Sequence, residues 1–293
     1  MRFSIQERHP LLSAAIVGLD LREKLSPEDV TDIEKAIARY PALVFPNQDI
    51  TDEQQQEFSR NFGPLQVAVA YETKPGEHRL ASVMTDISNL GKDQKTFAAG
   101  DRRRMNNLGS RRWHTDASYQ HPPGKYSMLS ARRIPHNGGD TQFADMRAAY
   151  DALSDAMRAM VENLVVVHDV IYSRGVAGFT EFSDEERAAL PPKPQRLVRR
   201  HPISGRKSLY LSGHASHILG WPIPEGRDLL YELTDFATRP QFVHSHKWAV
   251  GDLVMWDNRS SMHRATRFLP ETDVRDMRRC TVVDYAPTLE QPV

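Results

Sequence analysis

Apolar residues in this chain come mostly in short runs of strand length, set apart by polar turns. Ala15-Ile16-Val17-Gly18-Leu19 and Ala42-Leu43-Val44-Phe45 are the first two. Between them Ser26-Pro27-Glu28-Asp29 predicts a helix start, with a hydroxyl cap, a first-turn proline and acids at the positive end of the helix dipole. Thr51-Asp52-Glu53-Gln54 repeats the device for a second helix, expected to stop at Gly63-Pro64. Residues 73–112 are polar and rich in Gly, Asp, Lys and Arg, which predicts a long excursion of the lid or binding-loop kind. Strands then dominate, over 126–134 and 140–144 around Pro135-His136-Asn137-Gly138-Gly139. More are expected over 164–167, 196–199, 208–211, 242–248, 253–256 and 278–285, with helices at 146–153, 155–163 and 227–237. The pattern predicts an α+β protein with a mainly β core, a sandwich or barrel dressed with helices. No glycine-rich phosphate or dinucleotide motif follows a strand, so nucleotide-binding folds lose their best support.

Composition narrows the function. The chain has 293 residues, enough for one large domain or two ordinary ones. Thirty-eight basic residues balance 38 acidic ones, so no global field recruits nucleic acid or an anionic membrane. One cysteine, Cys280, excludes an internal disulfide framework and a multi-cysteine zinc site, and fits a reducing compartment. The opening residues lack an apolar signal core and no run approaches about 18 apolar residues. A soluble, cytoplasmic protein without nucleic-acid or membrane partners is expected, and nothing in the chain opposes a homo-oligomer.

Three features carry chemistry. In an extended Trp113-His114-Thr115-Asp116, side chains at i and i+2 share a face, so an imidazole and a carboxylate can meet at one point. Alone, His-x-Asp is weak. His263, far downstream beyond Gly251-Asp252-Leu253-Val254-Met255-Trp256-Asp257-Asn258-Arg259, completes two histidines and one carboxylate, the donor set of the facial triad of non-haem Fe(II) oxygenases. The same three donors also serve zinc hydrolases, although no His-Glu-x-x-His helix is present. Arg275 offers a guanidinium fork for a carboxylate and Thr141 a hydroxyl; read alone, each is an ordinary surface arginine or strand threonine.

Taken together, these residues resemble the iron(II)/2-oxoglutarate-dependent dioxygenases of the taurine dioxygenase group. The likeness runs almost end to end, through Asn61-Phe62-Gly63-Pro64-Leu65, the His114 motif, Gly138-Gly139-Asp140-Thr141 and the 251–259 run. Asp145-Met146-Arg147-Ala148-Ala149-Tyr150-Asp151-Ala152-Leu153 and His214-Ala215-Ser216-His217 are similar to its herbicide-degrading branch, while Tyr71 stands where that branch has lysine.

The resemblance implies a double-stranded β-helix (jelly-roll, cupin-like) with flanking helices, as a single domain over 1–293. It implies Fe(II) on His114, Asp116 and His263, and 2-oxoglutarate held through its distal carboxylate by Thr141 and Arg275, with O2 as the second cosubstrate. Arg279 and Lys95 would contact a small anionic prime substrate, an aryloxyacetate cleaved to a phenol and glyoxylate with release of succinate and CO2. A sulfonate such as taurine, an alkyl sulfate or another small carboxylate are the alternatives. Arg275 and Arg279, four apart in a strand, can face one cavity. His201, His214, His217, His244 and His246 are expected to be structural, Cys280 a packing residue, and Arg102-Arg103-Arg104 a solvated loop.

Overall fold

A computed structural model describes residues 2–68 and 78–292; Tyr71 and the first residues of the 73–112 excursion lie outside the described residues. The strands are β1 (Ser4–His9), β2 (Ser13–Val17), β3 (Ala42–Phe45), β4 (Thr85–Ser88), β5 (Gly124–Arg133), β6 (Thr141–Asp145), β7 (Val165–His168), β8 (Lys193–Arg196), β9 (Val198–Arg200), β10 (Lys207–Leu209), β11 (Ala215–Ile218), β12 (Val243–His246), β13 (Leu253–Asp257), β14 (Ser261–Ala265) and β15 (Asp276–Val283). The helices are α1 (Pro27–Arg39), α2 (Asp52–Arg60), α3 (Arg102–Asn107), α4 (Met146–Asp151), α5 (Asp155–Val161), α6 (Val170–Val176), α7 (Asp184–Ala189) and α8 (Ile223–Ala237). This is the expected sheet-dominated α+β architecture.

Seven strands form the major sheet in the order β1-β2-β3-β13-β5-β15-β4, and β12-β6-β14 form a smaller one. Alternation along the major-sheet strands explains the layering. Leu43, Phe45, Met128, Leu253 and Met255 pack outward against Ile33 and Ile37 of α1 and Phe58 of α2. Their neighbours Ala42, Val44, Leu129, Val254 and Trp256 face inward, onto Phe143 of the small sheet. Phe143's neighbour Ala144, with Met262 of β14, turns the other way, onto α4 and Leu229, Leu230 and Leu233 of α8. Strands buried on both faces explain the continuous apolar runs in the sequence.

Three local differences from the sequence reading have physical causes. The excursion is not structureless: β4 pairs with β15 as the sheet edge, and Asp101 caps α3, which holds the arginine run expected to be loop. The last helix begins at Ile223, four residues ahead of the predicted start, because Pro222 is its cap and the next proline falls in the first turn, where a missing N–H breaks no hydrogen bond. The strand expected over 242–248 shortens to β12, with Phe242 closing a 3-10 turn.

Candidate active site

The two histidines expected to ligate metal are joined by backbone before they are joined by chemistry. The His114 amide donates to the His263 carbonyl at 3.0 Å and the His263 amide to the His114 carbonyl at 2.9 Å. This antiparallel bridge splices residue 114 beside β14 and sets the two rings 4.2 Å apart. Ala117, at φ +53°, turns the chain just past Asp116. The carboxylate then sits with Oδ1 3.7 Å from His114 Nε2 and Oδ2 3.7 Å from His263 Nε2. All three candidate ligand atoms lie within 4.8 Å of one another, the one such group of three among the described residues.

The surroundings prepare these groups for a cation. His114 Nδ1 is 2.8 Å from the Arg112 carbonyl; an oxygen that only accepts makes Nδ1 the protonated nitrogen and leaves the Nε2 lone pair for a metal. Burial lowers the pKa of both imidazoles, keeping them neutral and able to ligate. Burial would also raise the Asp116 carboxyl, but the Arg279 charge, the largest of the opposing causes, and the Ser127 hydrogen bond help hold its pKa down to about 2. Asp116 Oδ2 accepts from Ser127 Oγ at 2.7 Å, and Ser127 accepts in turn from Asn258 Nδ2 at 3.0 Å. Asn258 Oδ1 receives the Asp116 amide at 3.2 Å and Trp256 Nε1 at 3.1 Å. Neutral imidazoles, an ionised carboxylate and oriented partners fit a divalent metal.

Thr141 and Arg275 meet at the double-glycine turn. Gly138 and Gly139 take φ of +72° and +74°, values that favour glycine. The turn aims the Gly139 carbonyl at Arg275 Nε, 3.3 Å away, while Asn89 Oδ1 accepts the Arg275 amide at 2.9 Å. In the register of the small sheet, Ala265 faces Thr141 and His263 faces Phe143. Thr141 therefore shares a face with His263, two residues or roughly 7 Å along the strand. The Thr141 hydroxyl accepts from Trp248 Nε1 at 3.1 Å, which leaves its own proton to donate. Arg275 is 5% exposed, and no described carboxylate pairs with it. Burial alone pushes its pKa down to about 10.

The remaining expectations divide. Arg279 of β15 faces Leu129 of β5, and Thr281 faces Ser127, so Arg279 shares a sheet face with Ser127 and its Nη1 is hydrogen-bonded to Asp116. Lys95 is exposed on the 91–100 loop, where its amide bonds Asp93, and the structure does not bring it to the other candidates. His201 is buried on Asp257 at 2.8 Å and His214 on Ser173 at 2.7 Å, as structural histidines should be. Cys280 is buried in β15, with its thiol pushed up to about 12 by burial, a packing residue as expected. Ser127, Asn258, Trp248 and Asn89 are site neighbours that sequence reasoning misses; only Asn258 lies inside a motif noted above.

Residues 4–281 match the family described as taurine catabolism dioxygenase TauD, TfdA family. An alpha-ketoglutarate-dependent 2,4-dichlorophenoxyacetate dioxygenase of Cupriavidus pinatubonensis is 43% identical over 282 residues, 95% of this chain and 96% of that protein. An (S)-phenoxypropionate/alpha-ketoglutarate-dioxygenase of Sphingobium herbicidovorans is 38% identical over 272 residues, 90% of this chain and 89% of that protein. Among solved structures, AAD-2 in complex with Mn(II) and N-oxalylglycine aligns with a TM-score of 0.94 and 49% identity, over 98% of this chain and 100% of that one.

Proposed function

This chain belongs to the TauD, TfdA family and is an alpha-ketoglutarate-dependent dioxygenase, and from that premise we propose that it hydroxylates an aryloxyacetate such as 2,4-dichlorophenoxyacetate. In this reading His114 Nε2, Asp116 and His263 Nε2 hold Fe(II), and Thr141 and Arg275 hold the distal carboxylate of 2-oxoglutarate. Bound there, iron with the keto acid and O2 would supply the oxidising power: one oxygen atom would end in succinate as CO2 leaves, the other on the substrate carbon beside the ether. The resulting hemiacetal breaks into a phenol and glyoxylate.

The protein's part is position and charge. The His114–His263 bridge fixes two ligands against each other, and Ser127 and Asn258 fix the carboxylate. Neutral histidines leave Asp116 as the one anionic ligand, so the metal keeps net positive charge for the keto acid's other end. Arg279 steadies Asp116 and adds positive potential for an anionic substrate. Lys95 is kept as a contact a substrate would have to draw in from the surface. The chain acts as a single domain over 1–293 in this account, soluble and cytoplasmic; no helix among the described residues is long and apolar enough to cross a membrane.

One observation carries the cosubstrate assignment: a buried arginine with no described acid, just ahead of β15 and bonded to the Gly139 carbonyl of the turn that leads into the strand facing His263. Succinate release would be measured with Fe(II), 2-oxoglutarate and a panel of 2,4-dichlorophenoxyacetate, taurine and an alkyl sulfate. Succinate matched by phenol and glyoxylate is the expected result. Turnover confined to taurine or the sulfate would overturn the substrate and leave the iron chemistry standing.

A further inference from the structure

A second cation near the metal corner has no acid among the described residues. Arg174 of α6 is half-buried, and no described carboxylate pairs with it. Among the described residues its side chain makes one hydrogen bond, from Nε to Asn106 Oδ1 at 2.9 Å, on α3. The guanidinium lies against Gly109, in the 3-10 turn Leu108–Arg111 that packs against β14, the strand carrying His263. A side chain at 109 would occupy the space of the fork.

From there the residues lead back to the metal. Ser173, the residue before it on α6, bonds His214 Nδ1 at 2.7 Å. The His214 ring meets His114 edge-on at 6.2 Å and Tyr119 at 5.0 Å. Among the described residues the Tyr119 hydroxyl has no hydrogen-bond partner, and neither do the two terminal nitrogens of Arg174. Burial lowers the Arg174 pKa; Tyr119 counters it, while the cations Arg279 and Arg112 push the same way as burial. Arg279 already holds Asp116, and Arg275 belongs to the cosubstrate in the reading above. Arg174 holds a bidentate fork without a described acid on the His214 side of His114, against Gly109.

We infer that Arg174, assisted by the Tyr119 hydroxyl, grips the carboxylate of the prime substrate, and that Gly109 is glycine so that the fork can lie there. The inference rests on the aryloxyacetate reading and assigns its anion clamp. A guanidinium fork matches a carboxylate through two parallel hydrogen bonds, which a lysine cannot reproduce. It also separates substrates by charge: a neutral analogue would leave the desolvated fork unpaired.

The test is titration calorimetry on enzyme loaded with Mn(II) and N-oxalylglycine, using 2,4-dichlorophenoxyacetate and its primary amide as probes. Wild type should prefer the acid; Arg174→Gln should weaken acid binding by roughly 10- to 100-fold and leave the amide unchanged. Arg174→Lys should recover part of the loss. Gly109→Ala keeps the charge and moves only the far end of a flexible side chain, so it should fold normally and still lose most of the preference. A wild type that binds the acid no better than the amide overturns the aryloxyacetate reading and this inference together. A wild-type preference that survives intact in both Arg174→Gln and Gly109→Ala overturns the Arg174 assignment alone.

Discussion

Arg259 and Arg275 are buried to nearly the same depth, 3% and 5% exposed, in opposite electrostatic settings. Arg259 follows β13 and grips Asp257 with Nε at 2.9 Å and Nη2 at 2.7 Å. Nη2 also donates to the Tyr126 hydroxyl at 2.9 Å, and His201 closes the cluster on Asp257 at 2.8 Å. Burial works against the Arg259 charge, but Asp257 more than offsets it and its pKa is raised. Arg275 has one long bond to a carbonyl, and burial pulls its pKa down. A desolvated charge with an internal partner belongs to the fold; one without a partner is held by the fold for an anion that arrives later.

Substitution should separate the two. Arg259→Leu strands the Asp257 carboxylate with His201 and should cost about 3–5 kcal/mol of stability, read as a fall in the urea midpoint at constant slope. Arg275→Leu removes a charge the fold only tolerates, so stability should hold or rise slightly. The KM for 2-oxoglutarate, however, should rise by roughly one to two orders of magnitude. If Arg275→Leu destabilises as much as Arg259→Leu, the unpaired charge is structural and the contrast fails.

Sequence alone could not have told these arginines apart, because both lie in short polar exits near a strand. What separates them is whether a carboxylate shares the burial, a property of packing. The metal ligands were legible because they are reactive side chains in a sparse pattern: His-x-Asp followed by a distant histidine. Their supports were not. Ser127 and Asn258 are ordinary strand and turn residues until β5 and β13 pair and bring both to Asp116. The strands buried on both faces were legible as apolar runs, whereas β4, with Ile87 as its one apolar residue, exists only because β15 offers an edge. Likewise α3 depends on Asp101 as its cap and on Arg102 reaching Glu186, a partner far along the chain.

A smaller effect sharpens the contrast at the metal corner, where the charge is paired but its geometry is borrowed from neutral groups. Ser127 donates to Asp116 Oδ2 and accepts from Asn258, so Ser127→Ala frees one carboxylate oxygen to rotate. Metal affinity measured against a competing chelator should fall about 10- to 100-fold, the usual effect of removing an outer partner of a ligand. The urea midpoint should move little, since the hydroxyl is small and Asn258 keeps its bonds to the Asp116 amide and Trp256. Unchanged affinity would mean that Arg279 alone fixes the carboxylate.

A pH-dependent effect concerns a histidine whose charge the fold refuses. His168 ends β7 fully buried, stacked on Tyr210 at 5.5 Å, and neither ring nitrogen has a hydrogen-bond partner among the described residues. Burial first, then the charges of Arg199 and His121, bring its pKa down to about 3. An unfolded chain protonates this residue near pH 6.5, so between about pH 6.5 and 3 the unfolded state carries a proton that the folded state does not. Stability therefore falls as the pH falls through that window, by at most about 1.4 kcal/mol per pH unit from this group. His168→Phe keeps the ring on Tyr210 and removes the titration. Its stability should match a constant offset from wild type above about pH 7 and then decline less steeply toward pH 4. Parallel curves for the two proteins across the whole range would show that His168 takes up its proton in the folded state, and that this buried site tolerates a charge without an acid just as the one around Arg275 does.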